Sequence, residues 1–151
     1  MKFIRGNLLD QTNGILVHGV NCVGVMGKGI ALDIRKKYPI VYNEYVKHVN
    51  HINSSNVLLG TIQVVRINPQ LIIVNAFTQR LYGRYHTWGC ENYDAICNTF
   101  ARVNILANEE NMPVYFPMIG AGYGGGNFSK ISELINNTLD PNIESTLVVY
   151  E

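Results

Sequence analysis

Alternating strands and helices predict a three-layer α/β/α sandwich around a central mixed, mostly parallel sheet of about six strands. Three observations carry this expectation. Short apolar runs rich in β-branched residues recur along the chain, at 14–20, 71–77 and 114–116 among others. Between such runs lie stretches with apolar residues at helical spacing, as in Ile131, Leu134, Ile135 and Leu139. Two glycine-rich loops each follow a strand and precede a helix. With 151 residues, 47% hydrophobic and 15% charged, the chain suits one globular domain over residues 1–151 with a sizeable core.

Residues 2–5 alternate in character and read as the first strand, stopped by Gly6 and Asn7. Residues 14–20 form the second. Residues 30–38 carry a helical pattern. Pro39 suits the first turn of another helix, whose face is Ile40, Tyr42, Tyr45, Val46 and Val49. The polar stretch 48–56 reads as loop. Residues 61–67 and 71–77 are two further strands, and Asn68-Pro69 between them predicts a hairpin. Residues 78–89 form a long loop carrying Arg80, Tyr82, Arg84, Tyr85, His86 and Trp88. A helix over 91–108 places Ile96, Phe100 and Val103 on one side. A short buried strand follows Pro113 at 114–116, then the second glycine loop at 120–126, a helix at 129–139 and a last strand at 146–150.

Composition narrows the function classes. The net charge is +1, so no basic field favours a long nucleic-acid track. Cys22, Cys90 and Cys97 lack CxxC spacing; they read as reduced thiols of an intracellular protein, with no zinc site. No apolar run approaches 18 residues, and the first residues lack the apolar core of a signal peptide, so neither a membrane span nor secretion is expected.

The chemistry concentrates in residues 18–31, His-Gly-Val-Asn-Cys-Val-Gly-Val-Met-Gly-Lys-Gly-Ile-Ala. Strand, glycine-rich loop, helix is a recipe for holding a phosphate, because the first helical N–H groups are unpaired and the helix dipole favours an anion there. A Walker A loop is excluded, since Gly27-Lys28 is followed by Gly29 where a hydroxyl is needed. A Rossmann fingerprint is excluded, since Gly120-x-Gly122-x-Gly124 leaves too little chain for a second βαβ unit. Ligands of such sheets sit at the carboxyl ends of the strands. Two phosphate-cradling loops at one sheet edge suit a diphosphate, hence a nucleotide-like ligand.

Over nearly its whole length the chain resembles the macrodomain family, the ADP-ribose-binding fold. Arg5-Gly6-Asn7-Leu8-Leu9 looks like the family's opening strand and turn, residues 17–30 like its first ligand loop, and residues 115–126 like its second. The His-x-x-Asn-Cys of His18, Asn21 and Cys22, the Gly-Val-Met-Gly-Lys-Gly segment and Phe77-Thr78-Gln79 are most similar to the small ADP-ribose-1″-phosphate phosphatase branch. ADP-ribosyl glycohydrolase antitoxins share the Gly-Val-Met-Gly-Lys-Gly segment.

The resemblance implies a macrodomain-like sandwich that binds ADP-ribose or ADP-ribose-1″-phosphate. Its implied ligand contacts are Asn7, Leu8, Asn21, Gly27, Lys28, Gly29, Ile30 and Gln79 on one side. On the other they are Ile119, Gly120, Ala121, Gly122, Tyr123, Gly124 and Phe128. Asn21 matches the asparagine that contacts the distal ribose; a loop-capping amide is its plainer role. Asn7 stands where many members have an aspartate for the adenine amino group. Phe128 is equally suited to packing beside the ribose or in the core. Gln79 replaces the lysine of some ADP-ribosyl hydrolases and cannot form a Schiff base. His18 has the pKa range for proton transfer, with Asn21 beside it as its catalytic partner; a core histidine on a strand is the alternative. Arg80 and Arg84 suit a terminal phosphate, whereas the interleaved aromatics suit a stacked base. Asp33 compensates the helix dipole or lies near the distal ribose. The expected activity is hydrolysis of ADP-ribose-1″-phosphate to ADP-ribose and phosphate. A non-catalytic ADP-ribose reader, or release of ADP-ribose from an ADP-ribosylated protein or nucleic acid, are the alternatives. The expected protein is a cytoplasmic monomer that needs no metal or cofactor.

Overall fold

The computed structural model describes residues 1–82, 88–121 and 125–151. In chain order the elements are β1 (Lys2–Gly6), β2 (Gly14–Asn21), α1 (Gly29–Lys37), α2 (Pro39–Ile52), α3 (Ser55–Leu58) and β3 (Ile62–Asn68). Then follow β4 (Leu71–Gln79), α4 (Cys90–Glu110), β5 (Val114–Phe116), α5 (Phe128–Thr138) and β6 (Ser145–Tyr150). The strands make one sheet in the order β1-β6-β5-β2-β4-β3. Every pairing is parallel except β3 on β4, which form the expected hairpin.

Alternation along the central strands builds the two faces. Ile15 and Val17 of β2 join Ile72 and Val74 of β4 under α4 and α5. Leu16 and Val20 join Ile73 and Phe77 under α1 and α2. Successive side chains of a strand point to opposite faces, so a strand buried on both sides is apolar throughout. Phe100 of α4 is fully buried and meets Phe116 of β5 edge-on, with ring centroids 5.6 Å apart.

Two stretches differ from the sequence expectation. The 48–56 segment is helical through Ile52, because Val41, Tyr45 and Val49 keep one buried stripe while Asn50 and His51 occupy the solvent side. Asn53 ends α2 in the left-handed region at φ 51°, and Ser54 caps the short α3 by accepting from the Val57 amide. Helix α4 starts at Cys90, anchored by Asn92. The Asn92 side chain accepts from the Gly89 amide at 2.9 Å and donates to the Thr78 carbonyl at 2.9 Å, tying the helix to the end of β4.

The parallel arrangement gathers the carboxyl ends of β2, β4, β5, β6 and β1 along one edge. The loops after β2 and β5 therefore face each other there. Among the described residues no helix is long and apolar enough to cross a membrane. Truncating Phe100→Ala removes a ring that both the helix and the sheet pack against. Urea denaturation should show a loss of about 3–5 kcal/mol.

Candidate functional site

The first glycine loop leaves β2 through Asn21, which is buried. Its amide nitrogen donates to the Val25 carbonyl at 2.8 Å, and its Oδ1 accepts from the amides of Val23 (3.1 Å) and Val25 (3.3 Å). The Tyr45 hydroxyl, carried by α2, lies 2.7 Å from Oδ1 and 2.8 Å from the main-chain oxygen of the same residue. Burial pushes the Tyr45 phenol up, so it stays a donor. The Cys22 amide donates to the Arg80 carbonyl at 3.1 Å, joining this loop to the end of β4. Burial also raises the Cys22 thiol, to about 11, which keeps it protonated and a poor nucleophile.

Three adjoining cavities follow the carboxyl edge of the sheet. One of about 310 Å³ is lined by Asn21, Val25, Gly27, Lys28, Gln79 and Tyr82, among others. A central one of about 140 Å³ lies between Gly19, Ile30, Gln79, Ile119 and Gly120. A third of about 300 Å³ is bounded by Leu8, Gly29, Asp33, Pro117, Val148 and Tyr150. Gly19 and Gln79 border the first two, and Ile30 and Pro117 border the last two, so the three form one cleft. Gly19 keeps the floor low. A Cβ there would come within 2.8 Å of Thr78 Oγ1 and 2.9 Å of an Ile119 methyl.

Helix α1 points its start at this cleft. Lys28 is its N-cap, and among the described residues no side chain caps it or places an acid in its first turn. Its first amides thus carry an uncompensated positive end, with a lysine charge beside them. Across the cleft, the loop after β5 turns at Gly120, φ +76°, and closes through the Gly126 amide donating to the Gly120 carbonyl at 2.9 Å. The left-handed turn at Gly120 favours glycine. One wall is a helix start and the other a glycine turn, whose Ile119, Ala121 and Gly126 amides donate within the loop.

Comparison with known proteins agrees with this geometry. The family model for the Macro domain matches residues 17–135. The chain belongs to the Macro domain family. A relative from Thermus aquaticus, named DNA ADP-ribosyl glycohydrolase, is 29% identical over 153 residues, covering 100% of this macrodomain but 41% of its own length. An ADP-ribose 1″-phosphate phosphatase from Aspergillus oryzae is 45% identical over 49 residues, 32% of this chain and 24% of that protein. The solved macrodomain of Thermus aquaticus DarG superposes with a TM-score of 0.79 at 28% identity, covering 99% of this chain and 97% of that one. The chain thus spans about two fifths of the first relative and a quarter of the second.

The macrodomain cleft brings together Leu8, Asn21, Gly27, Lys28, Gly29, Ile30, Gln79, Ile119 and Gly120. Other residues singled out in the sequence sit elsewhere. Asn7 caps the turn over Leu8–Asp10, its Oδ1 accepting from the Leu9 amide at 2.9 Å. Ala121 is exposed beyond the central cavity, and Phe128 packs against the core under α4 and α5. Gly122, Tyr123 and Gly124, like Arg84, Tyr85 and His86, lie outside the described residues. The Arg80 guanidinium is engaged away from any phosphate. It bonds the Glu91 carboxylate at 2.9 Å, Ser55 Oγ at 2.8 Å and Asn56 Oδ1 at 2.7 Å, bracing the end of β4 to α3 and α4.

His18 requires the largest correction. It is fully buried, with Nε2 2.5 Å from Asn75 Oδ1; Asn75 donates to Gln63 Oε1 at 3.0 Å, and Gln63 donates to the Glu44 carbonyl at 2.9 Å. That chain of amides ends on a carbonyl, which fixes Nε2 as the protonated nitrogen. Burial lowers the imidazole pKa from 6.5 to about 4. His18 is therefore a neutral core residue whose described partner is Asn75, not Asn21. Asp33, expected at the helix start or near the distal ribose, borders the Leu8 cavity at the opposite end, and Pro117, Val148 and Tyr150 were missed from the sequence. The last two stand at the end of β6, where the rule about strand carboxyl ends would have found them.

The His18 shift sets a pH dependence. The unfolded imidazole binds its proton near pH 6.5 and the folded one only near 4, so stability is full above pH 6.5 and declines as pH falls towards 4. The total loss should be about 3 kcal/mol. His18→Gln keeps an N–H donor for Asn75 and cannot titrate. Its urea midpoint should fall less than wild type between pH 7 and pH 5.

Proposed function

We propose that this macrodomain binds ADP-ribose along the cleft and hydrolyses ADP-ribose-1″-phosphate to ADP-ribose and phosphate. The observation that carries the reading is the run of three adjoining cavities between the start of α1 and the Gly120 turn. A diphosphate in the narrow central part meets the α1 start on one side and the Gly120 turn on the other. Each such helix-end contact contributes about 0.3–1 kcal/mol. The apolar space between Leu8, Val148 and Tyr150 suits adenine, and the distal ribose fits the cavity at Asn21 and Gln79.

Adenine recognition falls to Asp33 in this reading. Asn7 spends its side-chain oxygen on the Leu9 amide, whereas Asp33 borders the Leu8 cavity with a carboxylate able to accept from the exocyclic amine. Asp33→Ala should lower ADP-ribose affinity about fivefold to tenfold by calorimetry. It should leave affinity for a hypoxanthine analogue, which lacks that amine, nearly unchanged.

At the far end, Lys28 and Gln79 place a cation and an amide around the ribose. A terminal phosphate is attracted by Lys28 and the α1 dipole, and the same charges stabilise it as it leaves. Water attacks phosphorus and the P–O bond to C1″ breaks; one proton of that water ends on the ribose oxygen and the other on the released phosphate. Wild type should release inorganic phosphate from ADP-ribose-1″-phosphate, and Lys28→Ala should reduce the rate about tenfold. Heat on titration with ADP-ribose but no phosphate release would make the protein a reader.

A second reading is favoured by Tyr82, which is half-exposed at the mouth of the distal cavity beside exposed Leu81. An aromatic there suits a base attached to the ribose, and the Thermus aquaticus relative is named for action on DNA. Release of ADP-ribose from an ADP-ribosylated oligonucleotide, exceeding phosphate release from the monoester, would establish this reading over the first.

A further inference from the structure

We propose that Trp88 is a positioning residue that holds the second glycine loop at a set distance from the end of β4 and so sets the width of the central cleft. The ligand consequences rest on the ADP-ribose reading above; the positioning itself is testable without ligand.

Trp88 is the one tryptophan of the chain and is 8% exposed. Its two ends do different things. The six-membered edge occupies the space beside Gly120, where a Cβ would come within 2.6 Å of Cζ2 and 2.7 Å of Cη2. The middle of the ring lies against Gly126, where a Cβ would be 3.1 Å from Cδ2. The indole thus abuts both residues that close the loop, Gly120 and Gly126, whose main chains are bonded to each other. The polar N–H makes its own contact. Nε1–H donates to Gln79 Oε1 at 3.3 Å, and Gln79 Nε2 donates to the Leu81 carbonyl at 2.9 Å.

Gln79 borders both the distal and the central cavity, and Gly120 borders the central one. The ring therefore joins two residues that line the central cavity, Gln79 at the end of β4 and Gly120 in the loop after β5. A second anchor fixes the ring itself. Tyr93 of α4 meets Trp88 edge-on at 5.6 Å, its hydroxyl accepts from the Asn127 amide at 3.1 Å, and Lys130 sits 4.2 Å over its ring. Simple core filling needs none of the polar end; an aliphatic side chain would fill the volume. The directed N–H and the two glycines trimmed to the ring edge are what a spacer requires. Gly120 is then doubly constrained, by its φ of +76° and by the indole beside it.

Trp88→Phe keeps an aromatic side chain but loses the N–H and the outer edge. Gln79→Met keeps the indole and removes its acceptor, and serves should the first variant fold poorly. Hydrogen exchange of the unliganded proteins should show residues 119–121, 125 and 126 exchanging at least tenfold faster in Trp88→Phe, with α4 and β2 unchanged. Calorimetry should show ADP-ribose affinity falling about tenfold in Trp88→Phe; Gln79→Met, which also removes a group lining the distal cavity, is read by hydrogen exchange alone. AMP, which reaches only the Leu8 end and the first phosphate, should bind within twofold of wild type. Gly120→Ala should cost ADP-ribose affinity less in the Trp88→Phe background than in wild type, because the shorter ring relieves the contact. Unchanged exchange at 119–121, 125 and 126, equal losses for AMP and ADP-ribose, or an identical Gly120→Ala effect in both backgrounds would overturn the proposal. Absence of ADP-ribose binding to wild type would overturn the ligand reading instead, and exchange would still decide the spacer.

Discussion

A single buried amide organises the first wall of the cleft. Strand β2 is enclosed on both faces, so the chain leaving it carries main-chain groups that water does not easily reach. Asn21 meets that need by donating to the Val25 carbonyl and accepting from the Val23 and Val25 amides. Tyr45 reaches over from α2 to the same oxygen. With the turn closed in this way, the backbone is delivered to Lys28 and the start of α1 in one conformation. A carboxylate in place of the amide would accept but not donate, leaving the Val25 carbonyl without its partner.

The second wall is held by shape as well as by hydrogen bonds. Gly120 and Gly126 are bonded to each other, and the Trp88 ring fills the space that side chains there would need. The two walls meet through β4. Cys22 binds the Arg80 carbonyl from one side, Trp88 binds Gln79 from the other, and Asn92 ties the Thr78 carbonyl to α4. Three consecutive residues, Thr78, Gln79 and Arg80, thus join both glycine loops and two helices. Arg80 contributes its charge to this brace through Glu91.

Much of this was legible in the order of residues. Apolar runs, helical stripes and the two glycine loops are local patterns. They sufficed for the layers, the six strands and the Asn68-Pro69 hairpin. The end of α2 was hidden because His48, Asn50 and His51 look polar in a row, although the polar positions lie on the solvent side of a continuing helix. His18 was ambiguous for a related reason. It stands three positions before Asn21 near a strand end, and nothing local says which face it takes or that Asn75 and Gln63, far along the chain, are waiting for it. Trp88 looked like one aromatic among several in a long loop; its neighbours Gly120 and Gly126 are more than thirty residues away.

By itself the sequence determined the α/β class, the positions of the two glycine-rich loops and the likeness to macrodomains, since each depends on periodicity or on contiguous glycine-rich spelling. Only the tertiary structure decided which polar side chains face the cleft. That choice separates Asp33, Gln79 and Lys28 from His18, Asn7 and Arg80, and it turns on strand register and on partners brought together through space. A hydrogen bond is satisfied by geometry, and geometry between distant residues exists only once the sheet has formed.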